Sequence, residues 1–105
     1  MKIVFFDSKV EKFLHSLNPE TIARVLRTID LLETFGHRLG LPHSKKIESR
    51  LFELRIRGKQ EVRFFYTFHG GEIVILHGFV KKSQRIPLYE LKRVREQLKK
   101  IDSSP

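Results

Sequence analysis

Apolar positions in this chain follow two rhythms, every second residue in some stretches and every third or fourth in others. Residues 2–6 are a short run of β-branched and aromatic side chains, which predicts a first strand. Ser8 and Glu11 then have capping-box spacing. Val10, Phe13, Leu14 and Leu17 follow at helical intervals, predicting a helix over about 8–17. Asn18-Pro19-Glu20 is a second start signal, a capping side chain with Pro in the first turn. Ile22, Val25, Leu26, Ile29, Leu32 and Phe35 form one apolar stripe, and Gly36 is the stop. Two helices meeting at Leu17-Asn18-Pro19 make a helical hairpin.

From His37 to Glu48 the rhythm is lost. Gly40, Pro42 and Ser44 interrupt it, and the segment reads as a loop. Residues 51–57 then alternate strictly, with Phe52, Leu54 and Ile56 on one face and Glu53, Arg55 and Arg57 on the other. Gly58-Lys59-Gln60 turns the chain. Residues 61–69 form a further strand, Val62, Phe64, Tyr66 and Phe68 against Arg63, Phe65 and Thr67. Gly70-Gly71 has the chemistry of a two-residue hairpin turn. Residues 72–80 are apolar on both faces, which predicts an interior strand. Pro87 opens a last helix whose buried side carries Leu91, Val94, Leu98 and Ile101. The order β-α-α-β-β-β-α predicts an α+β domain: an antiparallel meander, a helical hairpin on one face and a C-terminal helix. The other face is left for a ligand.

Length and apolar content fit this picture. One domain is expected from 105 residues with 40% apolar content, over 1–101, with 102–105 a frayed tail. There is no cysteine, which excludes disulfides and thiolate metal sites. The apolar run at the start is too short for a signal peptide or a membrane span, so a cytoplasmic protein is expected. Charge says more: 21 Lys and Arg against 12 Asp and Glu leave a net +9. That excess favours a polyanion, such as nucleic acid, an anionic membrane face or an acidic protein.

The face turned away from the helical hairpin is where such a partner would sit. Arg55 and Arg57 lie on it, Arg63 and Phe65 share it depending on register, and the segment Lys81-Lys82-Ser83-Gln84-Arg85 leaves the last strand beside them. Guanidinium forks grip phosphates, and a ring such as Phe65 stacks on an unpaired base or packs under the last helix. Cations on the solvent face of a sheet also serve solubility alone. His43 overhangs this groove from the central loop, His77 reads as a hydrogen-bonded core histidine, and His15, His37 and His69 read as structural or exposed. No histidine pair has metal-binding helix spacing and no acidic cluster is present, so neither metal nor cofactor is expected.

The stretch LFELRIRGKQEVRFFYTFHGGEIVILHGFVKKSQRIPLYELKRVREQL resembles the C-terminal half of RelE/ParE-superfamily toxins, particularly HigB-like and phage-derived toxin proteins. The carrying motifs are ELR, then R-x-F-Y, then ILHGFVKK-x-Q-x-x-P running into a final helix. The N-terminal strand and hairpin match in arrangement. The resemblance implies a microbial-RNase-like fold, a cognate antitoxin of the helix-turn-helix DNA-binding type, and cleavage of mRNA in the ribosome. It implies attack by the nucleotide's own 2′-hydroxyl, leaving a 2′,3′-cyclic phosphate without a metal. By motif, Arg55 and Arg57 fall on the basic positions of the second strand and Arg63 on the phosphate-gripping arginine of the third. Lys81 or Lys82 matches the basic residue after the fourth. Tyr89 stands near the aromatic that closes the segment, at longer spacing. Arg85 joins Arg57, Phe65 and His43 as an RNA-binding residue. Glu53 departs from the lysine of RelE-like sequences and leaves the general base open. A gyrase-inhibiting ParE-like toxin and a non-catalytic RNA- or protein-binding domain are the competing readings.

Overall fold

A computed structural model describes residues 1–103. The chain runs β1 (Lys2–Phe5), α1 (Ser8–His15), α2 (Pro19–Phe35), a 3-10 turn (Gly36–Arg38), β2 (Ser44–Glu48), β3 (Leu51–Ile56), β4 (Val62–His69), β5 (Glu72–Val80) and α3 (Leu88–Asp102). It is an α+β fold in which the strands form one sheet in the order β1-β5-β4-β3-β2. Only β1 runs parallel to its neighbour, β5; the other pairs are antiparallel. Gly70 and Gly71 both take positive φ, 57° and 77°, the conformation that joins β4 to β5 in a tight hairpin.

Three details differ from the expected arrangement. The loop after α2 contains a strand, β2, pairing antiparallel with β3 from Ser44↔Leu54 to Glu48↔Leu51. Gly40 and Pro42 precede it, and Lys45 and Lys46 carry no apolar rhythm, so alternation does not reveal it; charged side chains are how an edge strand resists further pairing. The α1 cap is Asp7, not Ser8: its carboxylate accepts from the N–H of Lys9 at 3.0 Å and of Val10 at 3.3 Å. Finally, α3 runs to Asp102 and Ser103 caps it, so these two residues are not a frayed tail. For Ser104 and Pro105 that expectation lies outside the described residues.

Each sheet face has its own core. On the first, Leu54, Ile56, Phe64, Tyr66, Ile73 and Ile75 pack with Val10, Leu14, Val25 and Leu32 from α1 and α2. Thr21 and Thr28 take buried places on α2, whereas Leu26 and Phe35 of the expected stripe are exposed. The Thr28 hydroxyl satisfies itself by donating to the Arg24 carbonyl at 2.8 Å. On the second face, Leu51, Phe65, Val74 and Leu76 pack with Val94 and Leu98 of α3.

That second core corrects the expectation of an open face. The apolar strip of α3 must be buried, and the sheet surface left free by the hairpin is where it goes. Phe65 is 0% exposed there, so it is a core residue and not a stacking surface for RNA. Burying a ring of this size contributes about 1.5–3 kcal/mol. What stays uncovered is the end of β3, β4 and β5 beyond the reach of α3.

Candidate functional site

Alternation on β3 and β4 delivers Arg55 and Arg63 to that uncovered end. They are Cα partners across the ladder. Both Nε atoms approach one oxygen, Oε1 of Glu53, at 3.4 Å from Arg55 and 3.2 Å from Arg63. Glu53 is itself buried, so its charge is balanced by two guanidinium groups rather than by water. Arg63 is held further by Nη1, which donates to Glu61 Oε2 at 3.2 Å and to the Val62 carbonyl at 3.0 Å.

The two Nε–H groups are the informative atoms. Both lie within ion-pair distance of Glu53, yet neither finds a hydrogen-bond acceptor among the described residues. Buried donors are nearly always satisfied, so a pair of unmatched ones side by side needs an explanation. Here it is the Glu53 carboxylate, whose charge both face at 3.4 and 3.2 Å without hydrogen-bond geometry.

An open depression of about 490 Å³ lies over these arginines, walled by Arg55, Arg57, Glu61, Arg63, Lys81, Lys82, Ser83 and Gln84. The segment after β5 is tied to it: the Lys81 amide donates to the Glu61 carbonyl at 2.7 Å. A turn follows in which the Ser83 hydroxyl donates to the Arg85 carbonyl at 2.9 Å. Five cations therefore surround a space in which, among the described residues, Glu61 is the one carboxylate on the wall.

Five of the expected residues, Arg55, Arg57, Arg63, Lys81 and Lys82, thus meet in one groove. The other four do not join them. Phe65 lies under α3. Tyr89, 71% exposed on the first turn of α3, lines a neighbouring depression that it shares with His77, Phe79, Lys82 and Glu90. Arg85 is exposed on the turn and does not border the groove. His43 stands on the far side of Arg55 and Arg57, its carbonyl accepting from the Arg55 amide at 2.8 Å. His77 is bound through Nε2 to Glu90 Oε2 at 2.9 Å, which ties β5 to α3. His37 stacks on Phe68 with ring centres 3.7 Å apart.

Two contributors escape a reading of the sequence. Glu61 just precedes β4, at the head of the expected strand 61–69, and alternation puts it in line with Arg63 without marking it as a site residue. Phe79 is the Cα partner of Arg63 and stacks on Phe65 at 5.6 Å, so the half-exposed ring near the groove comes from β5. Uniform apolarity along β5 conceals it.

Among the described residues no cluster of three His, Asp or Glu side chains is placed to hold a metal ion. No helix there is long and apolar enough to cross a membrane.

A five-stranded α+β sheet with an arginine- and lysine-walled groove at one end defines the class. The sequence profile of the Gp49-like phage-derived proteins (DUF891) matches residues 12–99, so the chain belongs to that family, one associated with RelE-like and other toxin-like proteins. The match runs from α1 into α3 and includes every wall of the groove. A comparison with curated proteins finds no match.

Proposed function

We propose that this protein is the toxin of a type II toxin–antitoxin pair, an endoribonuclease that cuts mRNA on the ribosome. The observation that carries the reading is the meeting of Arg55, Arg57, Arg63, Lys81 and Lys82 around one groove, with Arg55 and Arg63 held in place by the buried Glu53. Membership of a family associated with RelE-like and toxin-like proteins supports it.

The chemistry follows from charge. The 2′-hydroxyl of the RNA attacks the adjacent phosphorus, the bond to the 5′-oxygen breaks, and the products are a 2′,3′-cyclic phosphate and a free 5′-hydroxyl. Arg55 and Arg63 grip the non-bridging oxygens, whose charge grows in the phosphorane. Lys81 and Lys82 add cationic stabilisation, in the role a metal ion plays in other nucleases. Glu61, the carboxylate on the wall, accepts the proton lost by the 2′-hydroxyl. Lys82 returns a proton to the leaving 5′-oxygen, and Arg57 steadies the flanking phosphate. Glu53 holds the two arginines parallel and does not reach the substrate. Tyr89 stands outside this arrangement.

A groove so charged must be covered when the protein is idle. A cognate antitoxin of the helix-turn-helix type would do so with an acidic or helical segment, and operator DNA would be reached only through it.

Primer extension on translated mRNA tests the reading. Arg63→Lys keeps the charge but loses the fork. Wild type should give cuts that fall about 10²–10³-fold in Arg63→Lys and about 10²–10⁴-fold in Glu61→Gln. Intact mRNA with blocked gyrase supercoiling would replace this reading with a ParE-like one. Intact mRNA with unimpaired gyrase would leave a binding domain.

A further inference from the structure

The arginines of the groove have a second side. Arg55 and Arg57 also wall a separate depression of about 340 Å³, completed by Arg24, Arg27, Thr28 and Leu31 of α2 and by Pro42, His43 and Ile56. Arg24, Arg27, Thr28 and Leu31 are spaced i, i+3, i+4 and i+7, one strip of a helix, lying beside the strip that faces the core. Arg55 and Arg57 are therefore a ridge between two hollows, not the rim of one.

Of the four arginines on this second hollow, Arg55 is paired with Glu53, and the charge of the other three is unopposed. Among the described residues no carboxylate lines it, and none lies within ion-pair distance of Arg24, Arg27 or Arg57. Some surface cations are matched, Arg95 with Glu48 at 2.8 Å, Arg50 with Asp102 and Lys2 with Glu72 at 3.7 Å; what marks Arg24, Arg27 and Arg57 among the described residues is that they share one hollow with no carboxylate on its wall. Like charges held together without a counter-charge oppose folding and persist where a ligand uses them. The floor is apolar, from buried Ile56 and half-buried Leu31, and exposed Pro42 and half-buried His43 complete the wall.

We infer that this α2–β3 cleft is a second RNA-binding subsite, which holds the backbone of the same single strand where it leaves the Arg55–Arg63 groove across the Arg55–Arg57 ridge. The inference rests on the function proposed above and adds Arg24 and Arg27 to the RNA path. A single strand suits the geometry because both hollows share two arginines, so successive phosphates of one chain can be gripped on either side. An apolar floor beneath a cationic rim matches a base beneath its own phosphate.

The test compares two RNAs, each 2′-O-methylated so that no cut can occur. One is a dinucleotide with a single phosphate, which fills the groove alone; the other is a ten-nucleotide strand. Binding is measured with wild type, Arg24→Gln/Arg27→Gln, and Arg24→Lys/Arg27→Lys over a range of salt. The stem of Arg24 lies over Gly58, so thermal melting of each variant checks that the fold survives and the lysine pair keeps both stem and charge. The glutamine pair should bind the dinucleotide as wild type does and the decamer several-fold more weakly. Its log–log salt slope for the decamer should be shallower by about 1.4, near 0.7 for each phosphate that is no longer neutralised. The lysine pair should restore most of both.

Equal loss for both RNAs, or for neither, overturns the second subsite and leaves the groove standing. Loss of affinity for a poly-glutamate peptide with unchanged decamer binding overturns it in favour of an acidic protein partner. Wild type binding neither RNA overturns the function proposed above, and this subsite with it.

Discussion

Arg63 and Phe65 stand two residues apart on the same face of β4, and both are almost completely buried, at 2% and 0% exposed. Their burial means opposite things. Phe65 lies under Val94 and Leu98 of α3, and its ring completes a core. Arg63 lies on the wall of the cationic groove, held by Glu53, Glu61 and a backbone carbonyl. The first is packing and the second is preorganisation: a side chain already desolvated and aimed loses little freedom when a phosphate arrives. The end of α3 decides which of the two a position on this face becomes.

The comparison can be broken at either end. The largest effect is expected at Phe65. Phe65→Ala should cost about 3–5 kcal/mol through removal of the ring and the cavity it leaves. Thermal or urea unfolding reads that loss, while the folded fraction keeps its RNA cleavage. Arg63→Lys should do the reverse. The melting transition should fall less than in Phe65→Ala, because lysine keeps a charge opposite Glu53, while cleavage falls by the amount given above. If Phe65→Ala were as inactive when folded as Arg63→Lys, the division between the two halves of the face would be wrong.

Sequence alternation alone separates Phe65 from Phe64 and Arg63 from Val62, and it brings Arg55 opposite Arg63 because a short turn fixes the register of the β3–β4 hairpin. Lys81 and Lys82 are legible for the same local reason, as the exit of a strand that pairs with β4. What alternation does not carry is the reach of an element far away in sequence. Nothing in residues 62–69 says where α3 ends over them, so Phe65 and Tyr89 look like site residues in the sequence and belong elsewhere in the fold. Arg24 and Arg27 are invisible for a related reason: on α2 they look like an ordinary solvated side, and only the approach of α2 to the end of β3 gives them a shared hollow with Arg55. β2 goes unseen because an edge strand needs few apolar residues.

A smaller effect sharpens the contrast from the first face. Tyr66 lies there with its hydroxyl hydrogen-bonded to that of Ser44, which fastens edge strand β2 to the interior of the sheet. Tyr66→Phe leaves the Ser44 hydroxyl buried without its partner and should cost about 1–3 kcal/mol. Burial also pushes the Tyr66 phenol above its ordinary value of 10.0, against a smaller lowering by the Ser44 hydrogen bond. The folded state thus holds its proton where the unfolded state releases it. Stability should be intact below about pH 10 and fall as pH climbs toward the raised value. In Tyr66→Phe this alkaline loss should be missing from chemical-denaturation curves.

The smallest effect is expected at the rim. Glu48 on β2 accepts hydrogen bonds from Arg95 of α3, at 3.1 and 3.3 Å from Nε and 2.8 Å from Nη2. That bonding, more than the coulombic attraction of Arg95, holds the Glu48 carboxyl below its ordinary 4.5. Its stabilisation is present above about that pH and is lost as pH falls through the lowered value. Arg95→Ala should flatten this part of the acid limb slightly, and high salt should flatten it in wild type as well.

The account turns on two side chains, the guanidinium groups of Arg55 and Arg63. Proton–nitrogen correlation spectra of the arginine side chains, recorded as 2′-O-methylated dinucleotide is added, observe them one by one. The Nε–H signals of both should shift together as a phosphate docks on their guanidinium groups. Movement of lysine signals alone, with both Nε–H signals unchanged at saturation, would contradict it.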